Sequence, residues 1–336
     1  MAEFSISVIM AAYNAEEFIS VAIDSILNQS FRNFEFIIIN DASTDRTLSI
    51  INTYNDERIK IITNQKNCGL AVSLNIGIRA ATGKYIARMD ADDISDLSRF
   101  EKQYQFLEEN PEIDVCATAM QLFGTENNIS GNDVSTDDEI KAELIWGCPT
   151  NHATMLMRLD KIKKYNLFYD ETFGVGQDWK FWYDVKNYVK IFNFIEPLYL
   201  YRRGEQNVTV QFKDKSRERS LRMHKILLAD LAIPFTDEDL KIHQFINGLF
   251  SLTPSPDNVK KAKFWLKKIL LQNKIIKKYE EKTFEATALK KWNHLFFLIV
   301  PYGHNTVFKY FLVTGIRWNH LSYYLKYSVN KLIGRK

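Results

Sequence analysis

The stretch FEFIIIND, residues 34–41, is apolar at nearly every position rather than at every second one. A strand with that pattern has no water-facing side, and it suits a sheet covered by helices on both faces. The segments around it repeat the arrangement. SISVIMAAYN (5–14) is a short apolar strand ending in polar residues. Residues 15–30 then carry apolar side chains at Phe18, Ile19, Ala22, Ile23, Ile26 and Leu27, the spacing of one helix face. STDRTLSIINTYN (43–55) reads as a second helix, with Ser43 or Thr44 able to cap it and Asp45 in its first turn. RIKIITN (58–64) is a third strand, GLAVSLNIGIRAAT (69–82) a third helix stopped by Gly83, and KYIARMD (84–90) a fourth strand. Four strand–helix alternations within about 90 residues argue for a doubly wound, mainly parallel α/β sheet. Such sheets bind ligands outside the carboxyl ends of their strands. The informative positions are therefore Tyr13 and Asn14, Asp41, Asn67, and Asp90 to Asp93.

Further along, DLSRFEKQYQFLEENPEI (96–113) is a helix ending near Pro111, and DVCATAMQLFG (114–124) is a strand. Residues 124–140 are polar and turn-rich, as in a mobile loop. NHATMLMR (151–158) reads as a strand with His152 at its start. FGVGQDWKFWYDVKNY (173–188) passes from a glycine-bearing loop into a helix. KIFNFIEPLYLYRRGEQNVT (190–209) reads as a pair of strands followed by a basic turn. From Lys213 the periodicity is helical, interrupted by LTPSPDN (252–258). The expected organisation is a catalytic α/β domain over 1–212 and a helical, basic region over 213–336.

Charge divides the chain the same way. Residues 257–336 hold 17 Lys/Arg against 4 Asp/Glu, a balance of +13. The remainder balances at −10, so the total of +3 hides two zones. KKAKFWLKKILLQNKIIKKY (260–279) reads as an amphipathic helix whose apolar residues are Phe264, Trp265, Ile269, Leu270, Ile275 and Ile276. Its lysines suit either solvent around a helical bundle or the anionic inner leaflet of a membrane. No nucleic-acid motif accompanies the charge. The amino-terminal stretch lacks the basic and apolar regions of a signal peptide. The longest apolar run near the carboxyl end, LFFLIVPY, is far short of the roughly 20 residues that span a bilayer. Cys68, Cys116 and Cys148 lie far apart and suit reduced thiols. A cytoplasmic protein, peripheral on the inner face of the plasma membrane, is expected.

RMDADD (88–93) sets three carboxylates within four positions at the mouth of the sheet. Alone they would repel one another. A hard divalent cation such as Mn²⁺ or Mg²⁺ takes oxygen ligands and needs only one or two carboxylates when a phosphate supplies the rest. Asp90 and Asp92, two apart on an extended segment, point the same way. The plainer reading has these aspartates capping the helix near Asp96, or solvated. Asp41 could accept from a nucleobase imide or a ribose hydroxyl, or could cap the next helix. Two acidic strand ends beside each other make a nucleoside diphosphate with a metal the better joint reading.

Three stretches, SVIMAAYNAEEFISVAIDSILNQSFRNFEFIIINDASTDRT, NCGLAVSLNIGIRAATGKYIARMDADD and SRFEKQYQFLEENPEIDV, resemble family 2 glycosyltransferases, the inverting group with the A-type fold. The likeness resumes at NHATMLMR, GQDWKFW and LYLYRRGEQNVT, and covers roughly the first 210 residues. It implies a Rossmann-like doubly wound mixed sheet followed by a helical carboxyl-terminal region. It implies that Ala11, Tyr13 and Glu16 lie near the uridine, with Ala12 where proline is common. Asp41 matches the aspartate that reads the base, and Ala42 stands where glycine is frequent. Asn67 and Ala91 join the nucleotide-sugar contacts. Asp90 and Asp92 match the D-x-D, with Asp90 nearer the ribose and Asp92 on the metal. Asp178 matches the catalytic base, with Gln177 where glutamate is frequent and Asp184 where arginine often appears.

The chemistry of inverting transfer fits these roles: a base for the acceptor hydroxyl, stabilisation of the leaving diphosphate, and an in-line arrangement. Asp178 serves the first, unless it merely caps its helix. Asp92 with its cation serves the second, and Arg202 with Arg203 could add positive charge or lie solvated. His152 and Gln177 are placed near the acceptor or the metal, and Trp179 is the tryptophan chosen to stack on a sugar; buried structural roles remain open for His152 and Trp179. The function expected is metal-dependent transfer of a hexosyl or N-acetylhexosaminyl group from a UDP-sugar to a growing glycan of capsule or lipopolysaccharide type. The partners are the UDP-sugar, a glycan or lipid-linked acceptor and an anionic membrane surface, without nucleic acid. A nucleotidyltransferase would want a glycine-rich basic loop after the first strand, and AAYNAEEF supplies none. A non-catalytic nucleotide-sugar-binding or assembly subunit that keeps the fold is the remaining rival.

Overall fold

The computed structural model describes residues 4–131, 133–174, 176–204 and 213–332. It opens with β1 (Ile6–Ala12), α1 (Ile19–Leu27), β2 (Phe34–Asn40), α2 (Thr47–Ile51), β3 (Ile59–Thr63), α3 (Leu70–Ala80) and β4 (Tyr85–Asp90). These four strands are parallel, in the order β3-β2-β1-β4. Every residue of β2 is buried, as its unbroken apolar pattern requires. One face of the sheet packs Val8, Met10, Phe36 and Ile38 with Ile19, Ala22, Ile23 and Ile26 of α1. On the other face Gly77 of α3 comes so close to Ile9 and Ile39 that a methyl group there would collide with both.

Two local expectations change. α2 begins at Thr47, and the group that meets its amino end is Asp45, whose Oδ1 accepts from Thr47 N at 2.9 Å, rather than Ser43 or Thr44. α3 ends at Ala80, with Ala81 already extended. Gly83 is needed for space, not as a left-handed cap. A Cβ there would lie 2.8 Å from Ser7 N and 2.9 Å from Ile6 C, against the backbone of β1.

The chain continues through β5 (Ile94–Ser95), α4 (Arg99–Glu109), β6 (Val115–Gly124), β7 (Ile129–Ser130), α5 (Asp137–Glu143), a 3₁₀ turn (His152–Thr154), β8 (Leu156–Arg158), α6 (Leu159–Tyr165), α7 (Gln177–Val185) and β9 (Ile191–Arg203). Among the described residues the sheet has nine strands, ordered β3-β2-β1-β4-β8-β6-β9-β5, with β7 on β6. It is mixed: β8 runs antiparallel to β4 and β6, while β9 runs parallel to β6. The polar stretch 124–140 holds β7 and the start of α5. The segment at His152 is a 3₁₀ turn, so the strand starts only at Leu156. Residues 191–203 form one strand, not two. Its register slips opposite Thr118 and Ala119, so that Pro197, which has no N–H to give, follows an irregularity instead of breaking the ladder. From Glu205 the basic turn lies outside the described residues.

The chain divides into two units, residues 1–220 and 221–336. The boundary falls inside α8 (Lys213–Asp230). The second unit is helical: α9 (Asp237–Ile246), α10 (Pro256–Ile276), α11 (Glu281–Ile299), α12 (His304–Thr314) and α13 (Trp318–Leu332). Ser255 caps α10, accepting from Asn258 N, and Pro256 occupies its first turn, which explains the LTPSPDN punctuation. Trp265, Trp292, Phe296 and Tyr310 are buried in its core, with Trp292 stacked on Tyr310 at 4.9 Å. Among the described residues no helix is long and apolar enough to cross a membrane. Gly83→Ala should lower stability by about 1–3 kcal/mol, because the methyl meets backbone that cannot rotate away; urea unfolding would show it, and an unchanged midpoint would refute the packing argument.

Candidate active site

Parallel registry makes the strand ends finish level. Ala11 of β1 pairs with Ile39 on one side and with Asp90 on the other. Tyr13, Asp41 and Asp90 to Asp93 therefore leave the sheet at one edge, and Tyr13 is about half exposed there. The first two turns are stitched together. Asn14 Oδ1 accepts from Thr44 N at 2.8 Å, and Glu16 Oε2 accepts from Arg46 N at 2.8 Å and Arg46 Nε at 3.2 Å. Asn14 and Ala42 both adopt left-handed backbone, with φ of 47° and 57°. The alanine that stands where glycine is frequent thus keeps a glycine-like turn, at a steric cost.

Asp41 is buried and does not cap α2. Its Oδ1 accepts from Asn64 Nδ2 at 2.7 Å and Cys68 N at 2.9 Å, and its Oδ2 accepts from Gly69 N at 2.8 Å. The carboxylate thus organises the turn before α3, where Asn67 Oδ1 also accepts from Gly69 N.

The carboxylates at the end of β4 are held by arginines from two directions. Arg88, only 2% exposed, forks onto Asp90 through Nη1 to Oδ2 at 2.6 Å and Nη2 to Oδ1. Burial works against its charge, but the Asp90 carboxylate, with Tyr169 and Tyr199 adding to it, holds the guanidinium above its usual pKa. Arg202, at the end of β9, donates from its backbone N to Asp93 Oδ1 at 2.7 Å and from Nε to Asp92 O at 2.8 Å. Its guanidinium lies over Phe18 and Phe123. Arg202 therefore braces the turn. Burial, and then the Asp90 charge, push the Asp92 carboxyl up to about 6. Asp93 is raised further by burial, Asp90 and Asp92.

Asp90, Asp92, His152, Gln177 and Asp178 line one cavity of about 370 Å³. Asp178 is the second residue of α7, and its Oδ1 is buried with no hydrogen-bond partner among the described residues. Gly176 precedes the helix with φ of 92°, and a side chain there would run into Arg219, which reaches the same cavity from α8. His152 is kept neutral by burial and by Arg88, and its Nδ1 stands 3.4 Å from the Tyr169 hydroxyl. Ala11, Tyr13, Glu16, Asp41, Asn67, Ala91 and Arg202 lie outside this cavity. So does Trp179, whose buried ring donates from Nε1 to Leu144 O at 2.9 Å and packs as core, with no face left for a sugar. Arg219 and Cys148 are cavity residues that the pattern did not mark. Arg219 sits in RERS, a run like any charged helix surface. A larger hollow of about 660 Å³ lies at the amino ends of β1 and β4, away from the carboxylates.

Among the described residues no three His, Cys, Asp or Glu side chains form a metal-binding group. The donor set nonetheless fits a hard cation that brings other ligands with it. Asp92 is a cavity-facing carboxylate whose charge is disfavoured by burial and by Asp90, and a diphosphate can complete the coordination.

An A-type fold with acidic strand ends beside a carboxylate that keeps one buried, unbonded oxygen has the architecture of a nucleotide-sugar transferase. The model for glycosyl transferase family 2 matches residues 7–176, and the chain belongs to this family. The match ends two residues before Asp178. A protein of Haemophilus influenzae described as an uncharacterized glycosyltransferase is 38% identical over 218 residues, covering 61% of this chain and 68% of that protein. The putative glycosyltransferase EpsE of Bacillus subtilis is 42% identical over 156 residues, 46% of this chain and 56% of that one. WfgD of Escherichia coli, a UDP-Glc:alpha-D-GlcNAc-diphosphoundecaprenol beta-1,3-glucosyltransferase, is 36% identical over 110 residues, 33% of this chain and 44% of that one. The alignments thus span from under half to about two thirds of these relatives' own lengths. Staphylococcus aureus TarS 1–349, solved with UDP, superposes with a TM-score of 0.57 at 16% identity over 87% of this chain and 90% of that one. The mixed sheet and helical carboxyl-terminal region agree with that fold. Ala42→Gly should raise stability by about 0.5–1 kcal/mol by relieving the left-handed alanine; a chemical melt that shows no gain would contradict the strain.

Proposed function

We propose that this chain moves a sugar from a UDP-sugar to a hydroxyl of a growing bacterial surface glycan, of capsule or lipopolysaccharide type, with inversion at the anomeric carbon. The observation that carries this is Asp178: a carboxylate oxygen, buried and without a hydrogen-bond partner among the described residues, in the same cavity as Asp90 and Asp92. The Cys148 thiol lies against the same carboxylate, and the unbonded oxygen is the one placed to take a proton. WfgD's donor and its lipid-linked acceptor support the donor class and the kind of acceptor.

The acceptor hydroxyl gives its proton to Asp178 as its oxygen attacks C1 of the sugar. The bond from C1 to the diphosphate oxygen breaks on the opposite face, and the electron pair leaves with the diphosphate. The acceptor must sit on the Asp178 side and the nucleotide on the side of Asp41 and Asp90. Asp92, with Asp90 beside it, would hold Mn²⁺ or Mg²⁺, which when bound supplies Lewis-acid stabilisation of the diphosphate. Arg88 holds the Asp90 carboxylate in place, and Arg202 fixes the backbone that carries Asp92. Arg219 brings a cation to the cavity wall. Neutral His152 contributes a hydrogen bond rather than a charge. A hexosyl or N-acetylhexosaminyl donor fits this scheme equally.

Asp178→Asn should lower turnover about 10²–10⁴-fold while UDP affinity in the presence of Mn²⁺ stays within a factor of two or so, read by UDP release and calorimetry. Normal turnover would remove Asp178 from the base role, and an absence of transfer by the parent protein across a panel of UDP-sugars would favour a non-catalytic subunit. A second test is pH. Asp92 titrates at about 6, and only its carboxylate binds a cation. Manganese-dependent UDP affinity should therefore be level above pH 7 or so and fall by up to about tenfold per pH unit below 6. Asp92→Asn should abolish the dependence, and an unchanged profile in that variant would rule out Asp92 as the titrating ligand.

A further inference from the structure

α10 is apolar on two sides. Its inward side, Val259, Ala262, Trp265, Leu266 and Ile269, is buried in the second unit. Phe264, Leu271 and Ile275, which the sequence pattern grouped in part with that side, point away from it and are 71%, 61% and 65% exposed. At 100° per residue these three fall within about 40° of arc along three turns, with Lys267 and Lys268 flanking the gap between Phe264 and Leu271. Soluble proteins seldom leave such a stripe to water. Lysines border it: Lys260 and Lys267 on one flank, both exposed, and Lys261 and Lys268 on the other. The helix carries six lysines and one acidic residue. That residue, Asp257, lies with Glu238 and Asp239 in a hollow beside Phe264 and Lys260, and Lys261 holds Asp257 at 2.8 Å and Glu238 at 2.9 Å.

We propose that this outward face of α10 docks on an anionic lipid surface, with Phe264, Leu271 and Ile275 entering the boundary between headgroups and acyl chains. Lys260 and Lys267 meet lipid phosphates, their stems lying along the apolar stripe. The charge pattern selects this occupant. A second copy laid on the same stripe would bring lysine flank against lysine flank, whereas an anionic bilayer complements both the apolar centre and the basic edges. Nothing in this inference depends on the sugar donor.

The test is co-sedimentation of the full chain with large unilamellar vesicles, of phosphatidylcholine alone or mixed with phosphatidylglycerol, without donor or acceptor. A negative result therefore leaves the transfer reading untouched. Binding should be at least about tenfold stronger to the phosphatidylglycerol vesicles and should weaken with salt. The double substitution Phe264→Asp with Leu271→Asp should lower it about tenfold or more, with circular dichroism unchanged because both side chains are exposed. Should that variant unfold, Lys260→Glu with Lys267→Glu tests the face independently, with an expected loss of at least about thirtyfold on anionic vesicles only. Equal binding to both vesicle types, or variants that sediment like the parent, overturns the proposal. So does light scattering that shows an oligomer of the parent dissociated by Phe264→Asp, which would assign the stripe to a second copy.

Discussion

The Arg88–Asp90 fork is the interaction on which the site depends. A buried guanidinium is costly unless its donors are matched, best by a negative charge, and a carboxylate at a crowded acidic rim is costly unless a positive charge lies beside it. Each resolves the other's difficulty. Burial, and after it the neighbouring Asp90 carboxylate, raises the Asp92 and Asp93 carboxyls beside this pair. Beneath it Arg99, fully buried, donates to Arg88 O at 2.9 Å and to Gln103 Oε1 at 3.1 Å. Two buried arginines thus support the acidic rim, one through the other's backbone carbonyl, and Arg99 has its pKa lowered to about 10 by burial.

β9 supplies the other half of the support. It runs beside β6, passes its irregularity at Pro197, and then pairs with β5 just beyond the aspartates, Ile94 opposite Leu200. That path delivers Arg202 to the backbone of Asp92. An arginine that looks like a phosphate ligand in sequence acts here as a brace, because its guanidinium is already engaged by Asp92 O and by the rings of Phe18 and Phe123. The arginines that line the cavity are instead Arg88 and Arg219.

The first 90 residues were legible because their signals are local: unbroken apolar strands, helical spacing, and polar residues at each strand end. Asp90, Asp92 and Asp178 could be named from motif and resemblance, and the fold brings all three to one cavity. The errors have physical causes. Trp179 was named for its position beside Asp178, but on a helix adjacent residues point about 100° apart, and its neighbour's direction says nothing of its own. The 3₁₀ turn at His152 has no periodicity to read. Gly83 looked like a helix stop because the reason for glycine there, the backbone of β1, lies 76 residues away in the chain. Arg219 is set by tertiary packing against Gly176, which a charged run cannot announce. α10 was read as one apolar face because a list of apolar residues does not say which of them the bundle covers.

The narrowest joint of the sheet is β8. It meets β4 over three residue pairs, Tyr85 with Arg158, Ile86 with Met157 and Ala87 with Leu156, and meets β6 over two. By ladder bonds alone this would be the line along which the two halves of the sheet part. Gln103 crosses it, donating from Nε2 to Cys116 O at 3.1 Å and to Thr154 O at 2.9 Å, while Thr154 Oγ1 accepts from Thr118 N at 2.8 Å. These buried side-chain bonds act as rivets where the weave is thinnest. The floor of the cleft thereby owes its rigidity less to the number of its strands than to a glutamine and a threonine that hold the seam shut from within.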